Sequence, residues 1–170
     1  CTNPLAENYN SEATIDDNSC VIYGCTDENA CNYNENATNE DQSCQFALEN
    51  PIEIIYLEEY VTGLVGEDIV AQIHIRNASC DTIDDLVVRK IFNTPDNPEV
   101  TVYFCFNNIC FPSSTVISPN PLQLNSFQED DYFKGYLNSS ISGVFDVIYR
   151  FYSDNDPTIV AEVSVTYEVN

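Results

Sequence analysis

From residue 52 onward, apolar side chains fall at every second position. Ile69, Ala71, Ile73 and Ile75 alternate with Val70, Gln72, His74 and Arg76. Further on, Phe145, Val147, Tyr149 and Phe151 share one phase, and Ile159, Ala161, Val163, Val165 and Tyr167 another. Successive side chains of a strand point to opposite faces, so a period of two marks strands with one buried face. With turn-forming residues between most runs, the pattern predicts strands over 52–60, 67–76, 85–93, 99–105, 109–111, 114–117, 121–126, 131–137, 143–152 and 158–168. No segment carries the stripe of an amphipathic helix.

Short strands in this number predict a mainly β chain in which residues 47–170 form an antiparallel immunoglobulin-like β-sandwich. The chain has no Trp and lacks the intersheet Cys-Trp-Cys arrangement of antibody domains, so the expectation is one of architecture. Residues 1–46 read differently, as a small disulfide-rich repeat region. One twenty-residue unit is written twice, as CTNPLAENYNSEATIDDNSC from Cys1 and CTDENACNYNENATNEDQSC from Cys25, and eleven positions are identical. Almost nothing large and apolar lies between the bracketing cysteines. Such a segment needs covalent and ionic staples rather than a core. Gln45 to Pro51 forms a short linker without a Gly or Ser run, which favours two docked parts over two freely tethered ones.

The net charge is -23, with five basic side chains. Nucleic acid and anionic membranes need Lys and Arg patches, so both are excluded as partners. No run of about twenty apolar residues is present to insert into a bilayer. Residues 1–50 hold ten acids and no Lys, Arg or His, a segment that repels itself unless cations sit among its carboxylates. Elsewhere the acids read as a solvated surface.

Eight cysteines, no C-x-x-C pair and one histidine read as disulfides made in an oxidising, extracellular place rather than as zinc ligands. If each repeat is self-contained, Cys1 pairs with Cys20 and Cys25 with Cys44. Cys105-Phe-Asn-Asn-Ile-Cys110 has the form of a hairpin: Asn107 and Asn108 tolerate the positive φ of a tight turn and set Cys105 opposite Cys110. Elimination leaves Cys31 for Cys80.

The positions shared by the repeats are rich in oxygen: Asn8/Asn32, Asn10/Asn34, Thr14/Thr38 and Asp17/Asp41, with Asn3/Asp27 and Asp16/Glu40 exchanged conservatively. Calcium takes six to eight such oxygens in flexible geometry. Asn and Asp are equally the residues of turns, and spacing alone leaves the two readings level.

The pattern Cys-Thr-Asp, Ala, Asn-Tyr-Asn, Ala-Thr, an acidic pair and Ser-Cys, preceded by Gly24 in the second copy, resembles the cysteine-bracketed repeats of secreted Bacteroidetes proteins and, through them, thrombospondin type 3 repeats. That resemblance implies calcium, with Asn3, Asn10, Asp16 and Asp17 as ligands in one repeat and Asp27, Asn34, Glu40 and Asp41 in the other. The usual Asp-Asp-Gly-Ser-Cys ending is altered, because Asn18 and Gln42 stand at the glycine and Glu40 at an aspartate. Residues 103–106, 110–112, 118–124, 133–136 and 165–167 resemble an immunoglobulin-like module of the same secreted proteins. Such modules often sit in adhesive or stalk regions or ahead of a type IX sorting domain. Asp81-Thr82-Ile83 resembles the sequence at which Bacteroidetes attach O-glycans, which marks Thr82. Asn36, Asn77 and Asn138 head Asn-x-Ser/Thr sequons.

Catalysis finds little support. His74 falls on the outward phase of a strand, without a nucleophile motif beside it. The pairs Glu58/Glu59, Asp84/Asp85 and Asp130/Asp131 point to opposite faces of a strand, not at one substrate. The expectation is a non-enzymatic extracellular structural or adhesive protein, a building block of a cell-surface fibre or stalk held by calcium and disulfides. Self-association head to tail is expected through residues 52–60, either kept in their own sheet or donated to a neighbour. An accessory carbohydrate-binding module of a larger secreted enzyme, with surface glycans as partners, is the alternative.

Overall fold

A computed structural model describes residues 1–92 and 97–170. The chain divides into two compact units, Cys1–Ala47 and Leu48–Asn170.

In the first unit, regular structure is limited to two short strands, β1 (Tyr23–Gly24) and β2 (Asn39–Glu40), paired in parallel. Disulfides join Cys1 to Cys20 and Cys25 to Cys44, so each twenty-residue repeat is a closed loop.

The second unit is a mainly antiparallel immunoglobulin-like sandwich. Its strands are β3 (Ile52–Leu57), β4 (Tyr60–Gly63), β5 (Ile69–Asn77), β6 (Ile83–Phe92), β7 (Val100–Phe106), β8 (Ile109–Phe111), β9 (Leu122–Leu124), β10 (Glu129–Asp130), β11 (Lys134–Ser139), β12 (Gly143–Ser153) and β13 (Val160–Val169). One sheet runs β3-β5-β11-β7-β8. Because β3 covers residues 73–77 along one edge of β5, β10 and β11 share the other edge. The second sheet runs β4-β13-β12-β6-β9. Burial alternates along β5 and β12 in the phase read from the sequence: Ile69, Ala71, Ile73, Ile75 and Phe145, Val147, Tyr149, Phe151 enter one core with Phe104, Phe106, Phe133 and Tyr167.

Three expected strands differ. The run 52–60 breaks at Glu58 and Glu59, where the chain changes sheets. The Glu58 N–H still donates to Gln72 O of β5 (3.1 Å), whereas Glu59 O already accepts the Thr166 N–H of β13 (2.8 Å). Residues 52–57 lie in the chain's own sheet, antiparallel to β5. The stretch 114–117 contributes only a single bridge, Ile117 to Arg89. Prolines at 112, 119 and 121 remove the N–H groups that a longer ladder needs. Residues 131–133 interrupt the strand expected over 131–137, and Phe133 turns into the core there. Residue 93, the last of the strand expected over 85–93, lies outside the described residues.

Glycine is required at position 135. A Cβ there would stand 2.3 Å from the Tyr149 hydroxyl, which itself lies 3.1 Å from the Tyr167 hydroxyl inside the core. The Cys105–Cys110 disulfide closes the β7–β8 hairpin, whose turn residues Asn107 and Asn108 take φ of 48° and 60°.

Candidate functional site

The chemistry of the first unit lies in a hydrogen-bond network used twice at the 24-residue offset. A carboxylate faces the opening threonine: Thr2 Oγ1 donates to Asp16 Oδ2 (2.8 Å), and Thr26 Oγ1 donates to Glu40 Oε2 (2.9 Å). The second oxygen accepts the N–H two residues on, from Asn18 (2.7 Å) or Gln42 (2.8 Å). Asn8 and Asn32 clamp the loop ends. Their side chains donate to Ser19 O and Ser43 O and accept from the N–H of Val21 (2.9 Å) and Gln45 (2.8 Å).

The eight residues expected to ligate calcium are all placed in this network as turn formers. Asn3, Asn10, Asp27 and Asn34 accept through Oδ1 from Leu5, Glu12, Asn29 and Asn36 N–H, and Asp17 and Asp41 accept from Ser19 and Ser43 N–H. Each bond closes a two-residue Asx turn. Asp16 and Glu40 use both of their oxygens, whereas the bonds of Asp17 and Asp27 all go to Oδ1, which leaves their second oxygen without a donor among the described residues.

Among the described residues, the ligand atoms of His, Cys, Asp and Glu gather in a group of three or more within 4.8 Å of one another only at Cys25, Glu40 and Cys44. Two of those atoms are disulfide sulfurs. Asp27 and Asp41 stand outside that group.

The same bonds set the electrostatics. The Ser19 hydroxyl and N–H hold Asp17 down at about 2. Asp16 is lowered chiefly by the Asn18 N–H, Asp27 by the Asn29 N–H, Glu40 by the Thr26 N–H and Asp41 by the Ser43 hydroxyl. All five are exposed and held below their ordinary values by these bonds, so the unit stays anionic into acid.

The network also explains the glycine of the resembled repeats. Asn18 and Gln42 take φ of 60° and 66°, left-handed backbone that glycine adopts without strain, Asn tolerates and Gln does not favour.

Cys31 and Cys80 are both disulfide-bonded, and no described cysteine is free. Of the glycosylation candidates, Thr82 and Asn36 are exposed. Asn138 is half-buried and donates to Gly66 O and Asp68 Oδ1. Asn77 requires a correction. Its amide is fully buried and donates to Asp81 O (2.8 Å) and Leu124 O (2.9 Å), so the folded chain offers no acceptor nitrogen there.

In the sandwich, His74 faces outward with its ring against Tyr56, 4.7 Å between centroids. The acidic pairs have structural work. Glu58 accepts from Gln72 N–H, Asp84 from Gln123, Asp85 from Ser153 and Asn155, and Asp130 from Tyr132 N–H.

Sequence reading passed over Lys90. Its amine reaches from β6 to Val102 O (2.6 Å) and Ser113 O (2.7 Å), and burial pulls it down to about 8. It borders a cleft of about 660 Å³ lined by Arg89, Phe92, Val100 and Val116. A basic residue on the inward phase of a strand was the available signal.

No family model matches the chain, and no curated protein matches it. Among solved structures it is similar to the N-terminal domain of PorA, with 11% identity over 70% of this chain and 96% of that one and a TM-score of 0.47. It is also similar to a conjugative transposon lipoprotein from Bacteroides eggerthii DSM 20697, with 10% identity over 68% and 93% of the two chains and a TM-score of 0.42. A third is the CARDB domain of the PF1109 protein from Pyrococcus furiosus, in complex with di-metal ions, with 14% identity over 73% and 99% and a TM-score of 0.38.

Proposed function

We propose that the chain is an extracellular, non-enzymatic building block of a cell-surface fibre or stalk, with the repeats as its connecting element. The observation that carries this reading is the reuse of one hydrogen-bonded loop in both repeats. A design that repeats without a shared core is suited to extension along a line. The disulfides agree with an oxidising compartment. The outward His74 and the structural tasks of the acidic pairs support a non-catalytic role. Negative-stain imaging of material from native culture tests the reading: fibres are expected, and discrete particles overturn it.

Calcium enters the proposal as an ion coordinated by oxygens of Asn3, Asn10, Asp16 and Asp17 in one repeat and of Asp27, Asn34, Glu40 and Asp41 in the other. Calorimetric titration of the intact chain checks it. No heat with calcium and an unchanged Tm after chelation remove the ion. Thr82, exposed in the loop between β5 and β6, is the proposed O-glycan site, and a glycan mass on the peptide that contains it is the expected finding in native material.

A second reading, carbohydrate binding, is favoured by one observation. On the outward phase of β7 and β11, Tyr103 and Tyr136 stack with centroids 4.6 Å apart and planes 1° from parallel. Burial and a hydrogen bond to Asp68 push Tyr103 up to about 12. Binding on a glycan array that Tyr103→Ala and Tyr136→Ala abolish is the outcome that sets this reading above the first.

A further inference from the structure

The junction between the two repeats shows how one repeat receives another. The tail of the first, Val21–Tyr23, runs along the second at Thr38–Glu40. The N–H groups of Thr38 (2.9 Å) and Asn39 (3.0 Å) both donate to Ile22 O, and the Ile22 N–H donates to Thr38 Oγ1 (2.9 Å). The same hydroxyl donates to Cys20 O (2.9 Å). Pairing of β1 with β2 continues the contact, Tyr23 against Asn39 and Gly24 against Glu40. Ile22 is left only 7% exposed, in a unit with few buried apolar side chains.

At the 24-residue offset, this junction has two unused halves on the same unit. The receiving edge recurs as Thr14, Ile15 and Asp16. Among the described residues, the Thr14 hydroxyl and the N–H groups of Thr14 and Ile15 have no hydrogen-bond partner, and Ile15 is 82% exposed. The tail recurs as Gln45, Phe46 and Ala47, all exposed, with Phe46 at the place of Ile22 and 48% exposed. Phe46 O, the counterpart of the carbonyl that accepts two N–H groups inside the chain, accepts none among the described residues. Each half is what the other half binds at the internal junction.

We infer that the Thr14–Asp16 edge of one copy receives the Gln45–Ala47 tail of a second copy, which repeats the internal junction between molecules. The partner is this chain itself, and the contact is a short parallel ladder with Phe46 lying against Ile15. The two surfaces are unlike and sit on one unit, so the contact is heterologous. Repeated from copy to copy, it builds an open series wherever the rotation between copies does not close on itself. The inference rests on the reading of the chain as a fibre building block and names its contact. It differs from donation of residues 52–57, which the chain keeps in its own sheet.

Sedimentation velocity over a concentration series, at about 0.15 M salt or above so that like charges are screened, is the test. The wild-type chain should show dimers, trimers and longer species that grow with concentration. Ile15→Asp spoils the edge and Phe46→Asp the tail. Both side chains are exposed, so each variant should keep its disulfides and circular dichroism while associating about tenfold or more weakly. An equimolar mixture of the two variants should form a dimer and nothing larger, because one intact edge and one intact tail remain. A mixture that builds the long series, or variants that associate like wild type, overturns the contact and leaves the fibre reading to imaging. A wild-type chain that stays monomeric at every concentration also overturns it, even if native fibres are seen.

Discussion

In the sandwich, side chains from two sheets meet in one core, from Ile52 on its first strand to Val169 at the end of its last. In the repeat unit, the buried hydrophobic residues are Ala6, Ile22, Cys25 and Ala30. The sandwich can lose a polar contact at its surface and keep its form, because apolar area removed from water holds the sheets together. The repeats have no such reserve. Their shape depends on two disulfide loops, on carboxylates that cap backbone N–H groups and on asparagines that clamp the loop ends. The two units should therefore fail under different conditions.

Reduction is the strongest way to separate them. Each repeat disulfide closes a loop of 19 residues' separation, for which the chain-entropy estimate is about 3 kcal/mol. With thiol added, protease cleavage should appear throughout residues 1–47 while the strands of the sandwich stay protected. Equal cleavage of both units would break the comparison.

Next in size is Gly135→Ala. The added methyl meets the Tyr149 hydroxyl, and overpacking of this kind costs about 1–3 kcal/mol. Thermal unfolding should show the sandwich transition shifted down and the repeats' protease resistance unchanged.

Acid should separate the units by sign. Asp16, Asp17, Asp27, Glu40 and Asp41 have folded values below the ordinary 3.8 and 4.5. Their stabilisation is present above those values and is lost as pH falls through the folded ones, near 2 for Asp17. Asp130, in the sandwich, is raised by burial. It opposes folding when charged, and that cost is relieved as pH falls. Between about pH 4.5 and 2, amide exchange should therefore quicken in the repeats before it does in β5 and β12.

The smallest effect concerns backbone strain. Gln42→Gly removes a non-glycine residue from φ of 66°, and the repeat should gain about 1 kcal/mol. Asn18→Gly should gain less, since Asn tolerates that region. A loss of stability at Gln42→Gly would show that the side chain, not the turn, holds the position.

The sandwich was legible because burial writes itself at period two. Ile69 to Ile75 and Phe145 to Phe151 announced β5 and β12 by alternation alone. What alternation cannot show is where a strand changes partners. The apolar run from Ile52 to Val61 reads as one strand, yet the chain crosses between sheets at Glu58 and Glu59. In the repeats, the oxygen-rich positions were visible, but not which atom each oxygen would meet. Local N–H groups two residues on meet the side-chain oxygens of Asn3, Asn10, Asp27 and Asn34. Thr38 and Ile22, which join the repeats, could have been found by comparing the residues just after each closing cysteine. Lys90 could have been found by its phase.

The crossing at Glu58 and Glu59 has a mechanical consequence. It lays β4 alongside β13 in parallel, with Tyr60 to Gly63 matched to Thr166 to Val169. Tension applied through residue 58 and residue 170 pulls these two strands past each other along their length. Bonds such as Thr166 N–H to Glu59 O and Asn170 N–H to Gly63 O are then loaded together instead of one after another. The sandwich should resist stretching as a shear clamp, with a distinct force peak in single-molecule extension. A trace in which it opens gradually, without a peak, would contradict that geometry.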